Sequence, residues 1–541
     1  MYRRRVEEGL LNSCCCLQAA CLSLLCQLLA TKGPASWQAA EGILFSISCV
    51  GGELSQITDR AQRELVQADV SKLLGTYILP QCLPAHPMVQ TTTLTVIEQY
   101  AKFIGQSEAL VTPCLELVCS KLIEAPLAAN AAKAFRALCS KGAAHLRDPA
   151  KVQGLVTVVT HNFAAIPKDS LIMVVESLGR ILGGVQGSLM GLLEQLTAPF
   201  LAKLKAVTAG AGTGSFVKAS TLGEAVGCME LLGAALRFLE APSSPQDGHP
   251  VVLLLASVWD VLEAARQRFQ TDPQVVGALC EVYSKGMKQA REAGHQLLEP
   301  IVQAVVESFR ASRAENCLSC VSVAVEIFGQ TSGAAGSFGG LLAEVCGVAF
   351  EVVMERGASA CPELLCALFE MLYRYLLFCP EGLVPLPVFP TTLQLAGACL
   401  SLKEKEPLRA VLIFLDRIIN IPSPLWEQHV QGWMDGGGEG LYQGVVFALA
   451  ESCPPEALPR LSPLLFAMNA RFGAASSRWL QNALSSEAFP CREMEAECKQ
   501  NMLTASQALA GNARRFQALV QDFAQICRRQ QTADALLAYQ L

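Results

Sequence analysis

The chain is 541 residues long, 52% hydrophobic, 6% aromatic and 17% charged. Its formal net charge of −6 offers no basic field to condense on a nucleic-acid backbone, so direct nucleic-acid binding is not expected. Segments dense in β-branched residues and closed by tight turns do not recur, and apolar content spread this evenly suits an elongated core shared between repeats.

The first stretch imitates a secretory signal: Arg3, Arg4 and Arg5 precede an uncharged run over residues 9–31. Glu7 and Glu8 interrupt the basic region, and Asn12, Ser13, Gln18 and Gln27 break the run too often for a membrane span of roughly 20 apolar residues. A packed helix burying Leu17, Leu22 and Leu25 is expected, without membrane insertion. Cys14, Cys15 and Cys16 read as buried helix residues, with an acylation or metal tract as the alternative. Because the chain opens on so apolar a helix, residues 10–30 are expected to drive self-association.

Further on, apolar residues three and four apart mark helices of about 12 to 20 residues. One pair spans residues 111–140, with Leu115, Val118, Leu122 and Ile123 on the first helix. The second carries Leu127, Ala131, Ala134, Phe135 and Leu138, after the proline stop at Pro126. Later stripes are Leu171, Val174, Val175 and Leu178, then Val251, Leu254, Leu255, Val258 and Leu262. Two more are Leu364, Leu365, Leu368, Phe369 and Leu372 after Pro362, and Val411, Leu412, Phe414, Leu415 and Ile418 after Pro407. Pro113 and Pro300 are expected to open helices of their own. Breaks are expected at residues 209–215, 241–249, 333–340 and 436–440, each the length of a loop rather than a linker. The pairs recur at about 40 to 47 residues, the period of HEAT-type repeats. The expectation is therefore all-α: a HEAT-repeat superhelical solenoid over residues 1–541, a single continuous body of about 11 helix pairs.

Chemistry is not legible. The histidines His86, His145, His161, His249, His295 and His429 form no metal spacing with one another or with cysteines. Cys317 and Cys320 form a lone C-x-x-C inside a helical stripe, which points to core packing instead of redox work. The glycines at 210, 212 and 214 lack the Gly-Lys-Ser/Thr of a phosphate loop, and no nucleophile pairs with a base. No catalytic, cofactor or metal residue is expected. The 23 cysteines read as small buried hydrophobes in a reducing compartment.

Residues 35–47, with Trp37, Glu41 and Leu44 on one face, resemble the Trp-x-x-x-Glu-x-x-Leu helix of importin-β family receptors. Residues 77–80, 91–104, 125–139, 412–419 and 477–484 are similar to repeats of the transportin-SR (importin-13-like) branch, in the same order. The resemblance is to the C-terminal half of such a karyopherin, starting beyond the N-terminal repeats that form the Ran-GTP platform. It implies a nuclear transport receptor that holds protein cargo on a concave face, moves between nucleus and cytoplasm, meets nucleoporins, and has weakened or lost Ran-GTP binding. A scaffold or adaptor on the same repeats is the alternative. Where transportin-SR carries an arginine-rich helix for phosphorylated Arg-Ser segments, residues 275–293 correspond by order. The matching positions retain Lys285, Lys288 and Arg291 at i, i+3 and i+6, with Glu281 opposing. The resemblance makes these three the candidate cargo-binding residues, while the residues themselves favour a solvated helix face. Lysine presents a point charge in place of a planar fork, so phosphopeptide specificity is not carried over.

Overall fold

The computed structural model describes residues 2–185, 189–210, 218–239 and 248–539. Twenty-six α-helices and no β-strand occur among them. The expected connections at 209–215 and 241–249 lie mostly outside the described residues, as do Gly212 and Gly214.

The chain divides into two compact units, Met1–Arg268 with Lys288–Gly294, and Phe269–Met287 with His295–Leu541. Unit 1 begins with α1 (Tyr2–Leu17), α2 (Ala19–Lys32), α3 (Trp37–Leu54), α4 (Arg60–Leu73), α5 (Pro87–Gln99) and α6 (Ala101–Ile104). It continues with α7 (Glu108–Lys121), α8 (Ala125–Lys141), α9 (Pro149–His161), α10 (Lys168–Leu182), α11 (Leu189–Ala209), α12 (Ala219–Leu236) and α13 (Pro250–Arg268). Here α3, α5, α8, α10 and α12 pack in succession as one row, and α9, α11 and α13 form a second.

Unit 2 holds most of α14 (Pro273–Ala290), then α15 (His295–Ser312), α16 (Asn316–Phe328), α17 (Ala334–Arg356), α18 (Pro362–Phe378), α19 (Val388–Cys399) and α20 (Lys405–Ile419). It ends with α21 (Ser423–Leu425), α22 (Gln431–Phe447), α23 (Leu458–Phe472), α24 (Ala474–Ser485), α25 (Ala496–Ala508) and α26 (Ala513–Cys527). One row runs α16, α18, α20, α23 and α26, and α15 and α17 begin the facing row. This is the all-α HEAT-repeat solenoid fold.

Local chemistry accounts for the helix starts. Ser36 accepts a hydrogen bond from the Ala39 amide at 3.1 Å, and Asp59 from the Gln62 amide at 2.8 Å. Pro87, Pro126, Pro149 and Pro362 occupy first or second helical positions, where their missing N–H costs nothing. Pro113 and Pro300 do not open helices, contrary to expectation. They lie inside α7 and α15, close enough to the start that the ring meets only a first-turn carbonyl.

The apolar stripes of α8, α10, α13, α18 and α20 are buried at every position named above. Ile123 is the exception, 46% exposed beyond the last turn of α7. In α1 and α2, Leu22 is buried, but Leu17 lies open with Leu24 and Leu28. Cys14 is buried while Cys15 and Cys16 are exposed, because each successive residue turns further from the face on which α1 packs.

Two expected breaks are helix. Residues 333–340 form a turn only as far as Gly333 (φ +81°), and Gly336, Gly339 and Gly340 lie in α17. Residues 436–440 lie inside α22, where a Cβ at Gly438 would come within 2.9 Å of the Trp479 ring on α24. Glycine there makes room for a tryptophan. Helix α17 is the one described helix long and apolar enough to cross a membrane, yet 56% of its apolar window is buried in this fold.

The cysteines act mainly as filling. Cys317 and Cys320 are buried on α16, and the Cys280 thiol of α14 is 3.8 Å from that of Cys317. Burial raises the thiols of Cys114, Cys119 and Cys346 to about 12. They are protonated and inert at neutral pH.

Candidate functional site

Helix α14 carries the basic candidates. Its buried side is Val275, Val276, Leu279, Cys280, Val282, Tyr283 and Met287, and Gly277 lets Asn316 of α16 approach closely. Lys285 is half-buried and pairs with Glu281, one turn earlier, at 3.4 Å. Glu281 thus faces the same way as Lys285 and offsets its charge. Lys288 is exposed in the last turn. Arg291, also exposed, falls after the helix, at φ +47° in a short 3-10 turn, Arg291–Gly294. The regular i, i+3, i+6 spacing therefore ends at Lys288.

A larger feature in unit 2 escaped the sequence reading. A cavity of about 1000 Å³ opens between α15 and α17. Its apolar floor includes Val302 and Val306 from α15 and Phe338 and Leu341 from α17. On α15, Gln296, Glu299, Gln303, Glu307 and Arg310 line it at helical spacing, and Glu344 does so from α17. Arg310 and Glu344 bridge the two helices at 2.9 Å, and Gln303 donates to Glu307 at 3.2 Å. Beside the groove, α17 is bare along one face, of which Gly340 also lines the cavity. Gly336, Gly340 and Gly347 are exposed, and among the described residues a Cβ on any of them would meet nothing within 4 Å. Together with Ala343 they form a smooth stripe. The signal was present as Gly-x-x-x-Gly spacing, but a glycine-rich stretch reads first as a loop.

At the other end of the chain, Glu41 on α3 is buried and accepts a hydrogen bond from Thr92 of α5 at 3.1 Å. Leu44 is fully buried, and Trp37 stacks on His86 with ring centroids 3.7 Å apart. The glutamate of that helix belongs to the α3–α5 interface, the leucine is core, and the tryptophan stacks on the residue that precedes α5.

Residues 249–353 match the family model described as Transportin-3/Importin-13 fourth TPR domain. Importin-13 of Homo sapiens is 21% identical over 521 residues, 93% of this chain and 52% of the relative. Importin-13 of Gallus gallus is 20% identical over 514 residues, covering 92% and 52%. A solved structure described as importin13 in its cytosolic state superimposes with a TM-score of 0.81 at 16% identity, over 98% of this chain and 60% of that one. The chain is similar to importin-13 in sequence over most of its length and shares its fold. It spans about half the length of the curated relatives it matches. The stretch matching the importin-13 family domain takes in α13 to α16 and nearly all of α17, so both the α14 lysines and the α15–α17 groove lie within it.

Proposed function

We propose that the chain is a cargo-holding body of a nuclear transport receptor, a binding protein rather than an enzyme. In this reading it takes protein cargo on its inner helix row for import, shuttles between cytoplasm and nucleus, and has as further partners nucleoporins and Ran-GTP, the latter bound more weakly than by a full-length receptor. The observation that supports it is similarity to importin-13 in sequence and fold along nearly the whole chain. Stacked helix pairs suit the task, because small rotations between repeats let a long surface adapt to its load. Lys285, Lys288 and Arg291 are proposed as cargo contacts. Lys288 and Arg291 carry most of that role, since Glu281 already engages Lys285.

The test uses the fluorescently labelled full chain in permeabilised cells. Entry into nuclei that exclude an inert protein of equal mass, with captured cargo released by Ran-GTP and not by Ran-GDP, is the expected result. Exclusion from nuclei, with cargo release indifferent to the nucleotide, overturns the proposal in favour of an adaptor.

A further inference from the structure

We propose that the groove between α15 and α17 is a docking site for an extended protein segment bearing basic side chains. The inference stands apart from the transport reading, because it rests on this groove's shape and charge alone.

Shape argues first. The cavity is large, open and elongated between two helices, with an apolar floor of Val302, Val306, Phe338 and Leu341. Such a trough suits a chain laid along it better than a compact ligand. The glycine stripe on α17 argues in the same direction. Glycine is the poorest helix former after proline, and at Gly277 or Gly438 the fold uses its smallness to admit a neighbouring side chain. At Gly336, Gly340 and Gly347 no described residue comes within 4 Å of where a Cβ would stand. A helix that gives up side chains on an exposed face, beside a groove, presents a backbone that another backbone can approach closely.

Charge selects the occupant. The lining holds the carboxylates of Glu299, Glu307 and Glu344 against a single guanidinium, Arg310, which is already engaged by Glu344. An excess of negative charge along an apolar trough repels nucleic acid and anionic lipid and attracts lysine or arginine. Gln296 and Gln303 add amide donors and acceptors at the rim, suited to the peptide groups of an extended segment.

The test measures anisotropy of a fluorescein-labelled peptide of repeated Arg-Gly-Ala against the full chain, with repeated Glu-Gly-Ala as control. Saturable binding of the arginine peptide alone, weakening as salt is raised, is expected. Reversing two rim charges in the double variant Glu299→Lys, Glu307→Lys should weaken it about tenfold or more. Gly340→Leu fills the trough without changing charge, and should weaken binding while leaving the melting temperature unchanged or higher, since its side chain enters open space. That combination is one a purely structural glycine would not give. Equal affinity for both peptides, or undiminished binding by both variants, overturns the proposal. So does binding to phosphatidylcholine vesicles that Gly340→Leu abolishes, which would make the occupant a membrane.

Discussion

The two helix rows of unit 2 are built from the same kinds of residue and differ in how closely they pack. Between α18 and α20 the contact is dense, with Phe369 and Phe414 ring centroids 5.5 Å apart and both side chains fully buried. Between α15 and α17 the floor is apolar too, yet a cavity of about 1000 Å³ separates the helices and an exposed ion pair spans it. Density in the first row fixes the stack, and looseness in the second leaves surface that a partner can use.

Substitutions can break or sharpen that contrast. The largest effect is expected at Phe414→Ala, which empties a site at the centre of the dense row. A loss of about 3–5 kcal/mol is expected in chemical denaturation, and a loss below about 1 kcal/mol would mean that the row is no tighter than its partner. Paired glycine substitutions come next. Gly438→Ala pushes a methyl toward the Trp479 ring and should cost about 1–3 kcal/mol. Gly340→Ala, facing open space, should instead stabilise by about 0.5–1 kcal/mol through helix propensity. Melting curves that move the same way for both would remove the distinction between a glycine that seats a side chain and one that bares a face. The smallest effect belongs to the Arg310–Glu344 bridge, whose side chains are 55% and 52% exposed. A double-mutant cycle should give about 0.2–1 kcal/mol, falling with added salt.

The dense row was legible in the sequence. Val411, Leu412, Phe414, Leu415 and Ile418 share a face at helical spacing, and burial follows from that spacing whatever the neighbours are. Glycine and proline misled because their local preference competes with context. The Trp479 ring and the α22 backbone decide what Gly438 does, and a sequence window around residue 438 contains no sign of residue 479. The α14 lysines were placed correctly on a helix, but its end at Ala290, which takes Arg291 off the stripe, was not anticipated. Beyond the Gly-x-x-x-Gly spacing on α17, the groove itself could not be read. It depends on the distance between α15 and α17, which are separated in sequence by α16.

The buried thiols carry a consequence of a different kind. Cys139 and Cys346 lie wholly inside the fold, and burial keeps them protonated, so peroxide finds no thiolate while the helices remain stacked. That protection ends with any excursion that parts a helix pair. A sulfur oxidised during such an opening returns carrying an oxygen that its site has no room for. Each brief separation of the repeats then gives oxidation a chance to block their closing again.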